Sequence, residues 1–157
     1  MPELPKLNFP GYQFRTSSSS DGQSSKIFDI VRKKFVSLTP EEWVRQHLIH
    51  YLITEKKCPA SLMAVEAKLK VNELMKRTDI VVYNNALAPL LIAECKAPQI
   101  QITQKTFDQA ARYNLTLNVK YFVLTNGLQI YCCRMNHEEK RYEFLEDIPD
   151  YVSMTAS

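Results

Sequence analysis

Apolar positions recur every three or four residues in two parts of the chain, which is the period of a helix with one buried face. The first part predicts a helix from about Pro40 to Glu55, because Thr39 can cap it and a proline suits its first turn. The second part predicts a helix with its cap near Thr103. The apolar positions are Val44, Leu48, Tyr51 and Leu52 in the first helix, and Phe107, Ala110, Ala111 and Leu115 in the second.

Extended segments are predicted where apolar residues alternate with polar ones or form short continuous runs. An alternating run at 65–71 predicts a half-exposed strand. The runs at 79–83 and 90–96 are more continuously apolar, as central strands of a sheet are. Asn126-Gly127, between apolar runs at 121–125 and 128–132, predicts a hairpin with a two-residue turn.

The predicted order is helix, three strands, helix, two strands, which indicates an α/β fold with a mixed central sheet flanked by helices. The crossover through the second helix should be right-handed and place the next strand parallel to its predecessor. We expect one domain, 1–157. Within it we expect an N-terminal β arm at 1–36 with a serine-rich loop at 17–25, a core at 37–134 and an acidic C-terminal tail at 135–157.

Composition narrows the functional classes only slightly. The net charge of +3 does not by itself indicate a nucleic-acid-binding protein. The four cysteines form no Cys-x-x-Cys pair, which favours a reduced, cytoplasmic protein over a disulfide framework or a zinc site. No apolar run is long enough to span a membrane and no P-loop motif is present, so we expect neither membrane insertion nor ATP binding.

Charged residues stand at the ends of two adjacent predicted strands. Asp79 opens the first run, and Glu94 and Lys96 close the second. Strand alternation puts Glu94 and Lys96 on one face and turns Cys95 the other way, into the core. If the two strands form a hairpin through residues 84–89, we expect Asp79 to lie near Glu94 and Lys96. Two carboxylates and an amine so placed can hold a hard divalent cation and activate a water.

The Asp79…Glu94-x-Lys96 pattern resembles the signature of the PD-(D/E)xK nuclease superfamily, with Thr78 in place of the proline that often precedes the aspartate. Other segments resemble the N-terminal nuclease domain of type I restriction enzyme R (HsdR) subunits. These segments, within roughly residues 26–134, are Pro40–Gln46, Ala93–Pro98, Phe107–Tyr113 and Val123–Gly127. The resemblance implies a restriction-endonuclease-like αβββαβ core, and a restriction-modification endonuclease that hydrolyses DNA with Mg²⁺ or Mn²⁺.

The resemblance also implies roles for the candidate residues. Asp79, Glu94 and the backbone carbonyl of Cys95 would hold the metal ion. Lys96 would stabilise negative charge in the transition state. The competing explanation for Lys96 is an ordinary ion pair with Glu94, and for the two acids it is a solvated strand end beside Arg77.

Three further positions match the family and have structural alternatives. Glu42 matches an acidic position near the metal, but it could instead close a capping box with Thr39. Gln109 and Tyr113 match a Gln-x-x-x-Tyr motif that supports the site or contacts nucleic acid, and they share one helix face. Their alternative is a partly buried amide and phenol bound to backbone. His47 and His50 are better explained as core-edge residues than as zinc ligands.

Three functions stay open on the sequence alone: a metal-dependent DNA endonuclease, a catalytically silent nuclease-fold module that binds DNA or a partner protein, and a purely structural α/β module. The intact triad favours the first. A specificity or motor subunit would then come from another chain. The apolar arm Leu7–Phe14 favours a homodimer. Repulsion between Asp79 and Glu94 predicts that Asp79→Ala leaves the metal-free protein as stable as before, or more so.

Overall fold

The computed structural model of the chain describes residues 4–71 and 73–156, without the side chains at positions 71 and 74. Residues 1–3 of the predicted arm and residue 157 of the predicted tail lie outside this part. The helices are α1 (Pro40–Thr54), α2 (Gln104–Leu115) and α3 (Tyr151–Ala156), with a 3-10 turn at Ala60–Leu62. The strands are β1 (Thr16–Ser18), β2 (Ser25–Asp29), β3 (Lys34–Ser37), β4 (Met63–Val71), β5 (Leu74–Tyr83), β6 (Pro89–Cys95), β7 (Tyr121–Thr125), β8 (Ile130–Asn136) and β9 (Arg141–Leu145).

A six-stranded mixed sheet in the order β4-β5-β6-β7-β8-β9 forms the centre of the described chain. β6 and β7 are parallel, and the other neighbouring strands are antiparallel. Leu48 of α1 packs with Ile80 in one apolar cluster, and Phe107 of α2 packs with Val81 in another, so the two helices cover opposite faces. The predicted α/β fold with an αβββαβ core and interior strands β5 and β6 is confirmed.

The predicted helix starts are also confirmed. The Thr39 hydroxyl accepts a hydrogen bond from the N–H of Glu42 at 3.0 Å, and the Thr103 hydroxyl accepts one from the N–H of Thr106 at 3.1 Å. Each cap satisfies a backbone donor that the first helical turn leaves unpaired. No helix within the described residues is long and apolar enough to cross a lipid bilayer.

The loop between β7 and β8 differs from the predicted two-residue turn. Thr125 pairs with Ile130, so the loop spans residues 126–129. In this loop Gly127 has a positive φ of 87°. The Asn126 side-chain oxygen accepts hydrogen bonds from two backbone N–H groups within the loop, at 2.9 and 2.7 Å. These bonds stabilise a four-residue loop, and the prediction of a two-residue turn is wrong.

The N-terminal arm consists of a small sheet and a buried segment before it. β1, β2 and β3 form a three-stranded antiparallel sheet, with residues 19–24 connecting the first two. In the preceding segment, Leu7 and Phe9 are only 4% and 8% exposed. The indole Nε1 of Trp43 donates to the carbonyl of Pro5 at 2.9 Å. The apolar arm therefore packs against its own chain, which removes the argument for a homodimer through this arm.

The C-terminal residues that were predicted as an acidic tail are part of the fold. β9 extends the central sheet beyond β8, and α3 follows it. Ile148 and Met154 lie in the apolar cluster on the α1 face. Asp147 pairs with Lys56 at 2.8 Å, close to the end of α1. Apolar side chains among the acidic residues thus anchor this segment.

Candidate functional site

The candidate site lies where β5 and β6 stop pairing. Ile80 and Ala93 are the last paired residues at this end, and Asp79 lies one residue beyond them. The Asp79 carboxylate takes the place of a backbone acceptor, because its Oδ2 accepts a hydrogen bond from the N–H of Cys95 at 2.8 Å. This bond fixes Asp79 beside the middle residue of the predicted Glu-x-Lys motif.

Asp79 does not follow the alternation of the strand. Ile80 packs on the α1 face, and Asp79, although adjacent, also reaches α1, where Arg45 Nη2 donates to its Oδ1 at 2.9 Å. Glu94 reaches the opposite layer, where Lys76 Nζ lies 3.0 Å from its Oε1. The structure therefore brings Asp79 to the Glu94–Lys96 segment, but it binds the two carboxylates to different cations.

Arg45 connects Asp79 to the acids of α1 and β4. Its guanidinium lies 2.9 Å from Glu42, 3.4 Å from Glu66 and 3.6 Å from Glu41. The Arg45 and Glu42 side chains are 7% and 8% exposed, so this pair is screened less by solvent than the pairs with the more exposed Glu41 and Glu66. Burial acts to lower the pKa of Arg45, but the surrounding carboxylates raise it above its usual value. Arg45 is thus a fixed positive charge among four acids.

A second arginine ties this cluster to the N-terminal sheet. Arg32 lies 2.7 Å from Asp29 and 3.0 Å from Glu42. The Gln46 amide donates to both acids, at 2.9 and 3.1 Å. Burial acts to raise the pKa of Asp29, but hydrogen bonds from Arg32 and Gln46 hold it below its usual value. Arg32 of the predicted N-terminal arm therefore positions the Glu42 carboxylate of α1.

Glu94 belongs to a separate polar cluster beneath α2. The ammonium of Lys76 contacts Glu94 at 3.0 Å and the Asn114 side-chain oxygen at 2.7 Å. Lys76 also lies 4.3 Å from the centre of the Tyr113 ring. Asn114, 1% exposed, donates in turn to the carbonyl of Ala110 at 2.7 Å. Lys76 is therefore held by three groups and fixes the orientation of Glu94.

Lys96 lies just after β6, where its N–H donates to the carbonyl of Thr125 at 2.8 Å. Its side chain is half-buried. Burial and the charge of Asp79 raise the pKa of Glu41, while Arg45 and Lys96 oppose that rise. The charges of Asp79 and Lys96 thus both act on Glu41 at the start of α1.

Two adjoining cavities open this region to solvent. The first, about 490 Å³, extends from the N-terminal sheet to α1. The second, about 350 Å³, reaches Asp79 and shares Glu41, Arg45 and Glu66 with the first. A continuous concave surface therefore leads from β3 to Asp79.

The structure uses the other predicted residues in different ways. Thr39 caps α1, and the Glu42 carboxylate binds Arg32, Arg45 and Gln46. Gln109 is exposed on α2. Tyr113 is 49% exposed and stacks on Lys76, so it contacts the Glu94 cluster through that lysine.

Cys95 and the two helix histidines lie in apolar surroundings. Cys95 is 2% exposed, and burial raises the pKa of its thiol well above the usual value, as in structural buried cysteines. The Nδ1 of His47 lies 2.8 Å from the carbonyl of Trp43. Burial lowers the pKa of both His47 and His50. Both histidines pack as core-edge residues.

Sequence reasoning missed the cations that hold the acids. The Glu42–Arg45 spacing of three residues on a helix is a signal for an ion pair, and it was available. Lys76 and Asn114 meet across 38 positions of sequence, and no local pattern indicates that contact.

The donor set fits a hard divalent ion in its chemistry. Asp79, Glu94 and the Cys95 carbonyl supply oxygens, which Mg²⁺ and Mn²⁺ prefer. In the structure Arg45 pairs with Asp79 and Lys76 pairs with Glu94. Together these two side chains carry the same charge as one divalent ion. Within residues 4–71 and 73–156, no three His, Cys, Asp or Glu side chains are grouped closely enough to hold a metal together. Binding of a divalent ion would therefore require Asp79 to leave Arg45, Glu94 to leave Lys76, or both.

The mixed sheet between two helices, with acids where its central strands stop pairing, makes this an α/β domain with an αβββαβ core. Residues 40–149 match the family model described as type I restriction enzyme R protein N terminus (HSDR_N), and the chain belongs to this family. It is similar in structure to a fragment of a proposed HsdR subunit of a type I restriction enzyme from Vibrio vulnificus YJ016, with a TM-score of 0.53 and 16% identity. That match covers 76% of this chain and 25% of the other, so the chain spans about a quarter of that relative. No curated protein sequence matches the chain.

Proposed function

We propose that the chain is the nuclease module of a type I restriction R subunit and hydrolyses DNA phosphodiester bonds with Mg²⁺ or Mn²⁺. The observation that carries this proposal is the hydrogen bond from the Cys95 N–H to Asp79. This bond holds one acid against the Glu94–Lys96 segment, where the pairing of β5 with β6 ends. Family membership supports the same function.

In this proposal Asp79, Glu94 and the carbonyl of Cys95 hold the ion. A bound divalent ion supplies a Lewis acid and a water of lowered pKa. The Cys95 N–H keeps Asp79 oriented, and Lys96 offsets the charge that develops on the phosphate oxygens. The water oxygen bonds to phosphorus, the bridging ester bond breaks, and a proton passes to the departing oxygen.

Glu42 has a supporting part through Arg45. The guanidinium of Arg45, protonated at any ordinary pH, lies 2.9 Å from the Glu42 carboxylate, and both side chains are buried. When Asp79 turns to the ion, Arg45 keeps Glu42, Glu66 and Glu41 as partners. Three carboxylates would still neutralise the guanidinium, and Glu42 would stay anchored beside the site.

A second candidate is a silent nuclease fold that binds DNA or a partner protein without cutting. The observation that favours it is the pairing of both acids, Asp79 with Arg45 and Glu94 with Lys76. Ion pairs that are stronger than the attraction to a divalent ion would leave the site without metal.

Plasmid nicking distinguishes the two candidates. Wild-type protein with Mn²⁺ or Mg²⁺ should convert supercoiled plasmid to the open circle, and EDTA should stop the conversion. Asp79→Asn, Glu94→Gln and Lys96→Ala should each abolish nicking. Glu73→Gln is the matched control, because its carboxylate is 91% exposed, and it should nick like wild type. Nicking that persists in Glu94→Gln would overturn the assignment.

Thermal unfolding supplies the second arm of the experiment. An ion that binds only the folded state at a hundredfold excess over its Kd stabilises it by roughly 2.7 kcal/mol. Mn²⁺ should therefore raise the Tm of wild type and not of Asp79→Asn. Absence of a Tm increase at millimolar Mn²⁺ in wild type would favour the silent module.

Base-specific recognition and translocation would come from other parts of an R subunit or from other subunits. The chain carries no P-loop motif. A single site of this kind cuts one strand, so double-strand cleavage would need a second copy or a partner. We propose such partners on the strength of the family alone.

A further inference from the structure

The outer face of the small N-terminal sheet carries two phenylalanines in edge-to-face contact beneath an arginine. Phe28 and Phe35 are directly opposite each other on β2 and β3, and their ring centres lie 5.3 Å apart. The guanidinium carbon of Arg15 lies 4.5 Å from the Phe28 ring centre and 5.5 Å from that of Phe35. Phe35 is 37% exposed, although phenylalanine is usually buried.

The same face is polar and positively charged around the rings. Lys26 and Ser37 face each other one pair further along the strands, and Ser17 is paired with Lys26 from β1. These three side chains are on the same side as the phenylalanines, because residues two apart in a strand share a face. Lys33 is exposed at the turn between β2 and β3, whereas Lys34, paired with Asp29, belongs to the opposite face. Acidic Asp29 points to the other face, where it is fully buried.

This surface connects with the candidate site. Phe35 lines the first cavity, whose charged residues are three cations, Arg32, Lys34 and Arg45, and three acids of α1 and β4. The second cavity shares Arg45 and reaches Asp79. A strand lying on the phenylalanines could therefore continue along the concave surface to the acids.

We propose that this face, made of Arg15, Lys26, Phe28 and Phe35, binds single-stranded nucleic acid and guides it toward Asp79. Exposed aromatic rings stack with bases of any sequence, and nearby cations neutralise the backbone phosphates. Flanking hydroxyls add hydrogen-bond partners for phosphate and sugar. The inference rests on the proposed function in taking nucleic acid as the substrate, but binding here requires neither metal nor cleavage.

The test is fluorescence anisotropy of labelled oligonucleotides with the full chain in EDTA. A twelve-nucleotide oligo-dT should bind more tightly than a duplex of equal length, and an oligo-U arm shows whether DNA and RNA are distinguished. Phe35→Ala should weaken binding about tenfold, the effect typical of losing one base–aromatic stack. Phe144→Ala is the matched control, because Phe144 is a 47% exposed phenylalanine on β9, and it should bind like wild type.

Two more variants separate charge from stacking. Arg15→Glu should weaken binding more than Phe35→Ala while leaving the Tm close to that of wild type, since Arg15 is exposed. Lys26→Ala should lower the slope of log affinity against log salt by about 0.7, as for one phosphate contact to a single strand. Circular dichroism of each variant checks the fold.

Several outcomes would overturn the proposal. They are no binding of wild type to any single strand, equal affinity of wild type and Arg15→Glu, and equal binding of single strand and duplex. Competition by poly-glutamate as effective as by oligo-dT would indicate a surface for acidic proteins instead. Failure of plasmid nicking with normal oligonucleotide binding would reject the catalytic proposal and leave this one standing.

Discussion

Replacing Asp79 by alanine should destabilise the metal-free protein, which reverses the expectation from sequence that two nearby acids repel. Asp79 accepts from Arg45 and from the Cys95 N–H, and its side chain is 20% exposed. A hydrogen bond to a charged group contributes about 1.5–3 kcal/mol, and breaking a buried ion pair costs about 3–5 kcal/mol. Because Glu42 still compensates Arg45, we expect a loss of about 2–3 kcal/mol in the free energy of unfolding.

Urea unfolding in EDTA measures this loss. Asp79→Asn keeps an acceptor for the Cys95 N–H and should lose only about 1–2 kcal/mol. Glu73 lies just before β5 and its side chain is 91% exposed, so the free energy of unfolding of Glu73→Ala should stay within about 0.5 kcal/mol of wild type. If Asp79→Ala unfolds at the same or a higher urea concentration than wild type, the Asp79–Arg45 pair does not stabilise the protein, and the repulsion argument is correct.

Three more predictions concern the fold around the site. Burial lowers the pKa of His47 and His50, so below about pH 6.5 the unfolded state binds more protons than the folded state. The free energy of unfolding is therefore retained above that pH and falls below it. The loss is up to about 1.4 kcal/mol per pH unit for each histidine. His47→Gln should flatten that dependence in urea titrations between pH 7 and 5, and an unchanged slope would contradict it. Gly127→Ala should cost about 1–3 kcal/mol, because φ is 87° and a Cβ would lie 2.8 Å from a Leu7 methyl group; a wild-type Tm would contradict this. A shortened chain beginning at Lys26 should lose at least about 3 kcal/mol in the free energy of unfolding, since it lacks buried arm residues. Light scattering should show a monomer for the full chain and for the shortened one. A dimer of the full chain that the truncation abolishes would support the homodimer.

The helices and most of the central sheet could be predicted because local rules decide them. Helical periodicity and the Thr39 and Thr103 caps determine α1 and α2. A helical crossover between apolar runs determines the parallel pairing of β6 and β7. The prediction of a two-residue turn at Asn126-Gly127 was wrong because the Asn126 side-chain oxygen accepts hydrogen bonds from loop N–H groups. A turn rule based on two residues does not include such bonds.

The candidate site could be predicted as a place but not as a geometry. Strand alternation correctly buried Cys95. The expectation that Asp79 opens its strand was wrong, because β5 begins at Leu74 and only its pairing with β6 ends next to Asp79. Strand alternation could not show that Asp79 turns toward α1, because the ladder to β6 stops at Ile80 and frees the side chain. Arg45 and Lys76 reach the acids across 34 and 18 positions of sequence, so tertiary packing alone reveals them.

Crystals of the protein grown with Mn²⁺, measured at a wavelength where manganese scatters anomalously, test the central claim most directly. The account predicts one strong anomalous peak in contact with the Asp79 and Glu94 carboxylates and the Cys95 carbonyl, with Arg45 withdrawn from Asp79. An Mn²⁺-soaked crystal without a peak there, in which Asp79 still binds Arg45 and Glu94 still binds Lys76, would contradict it.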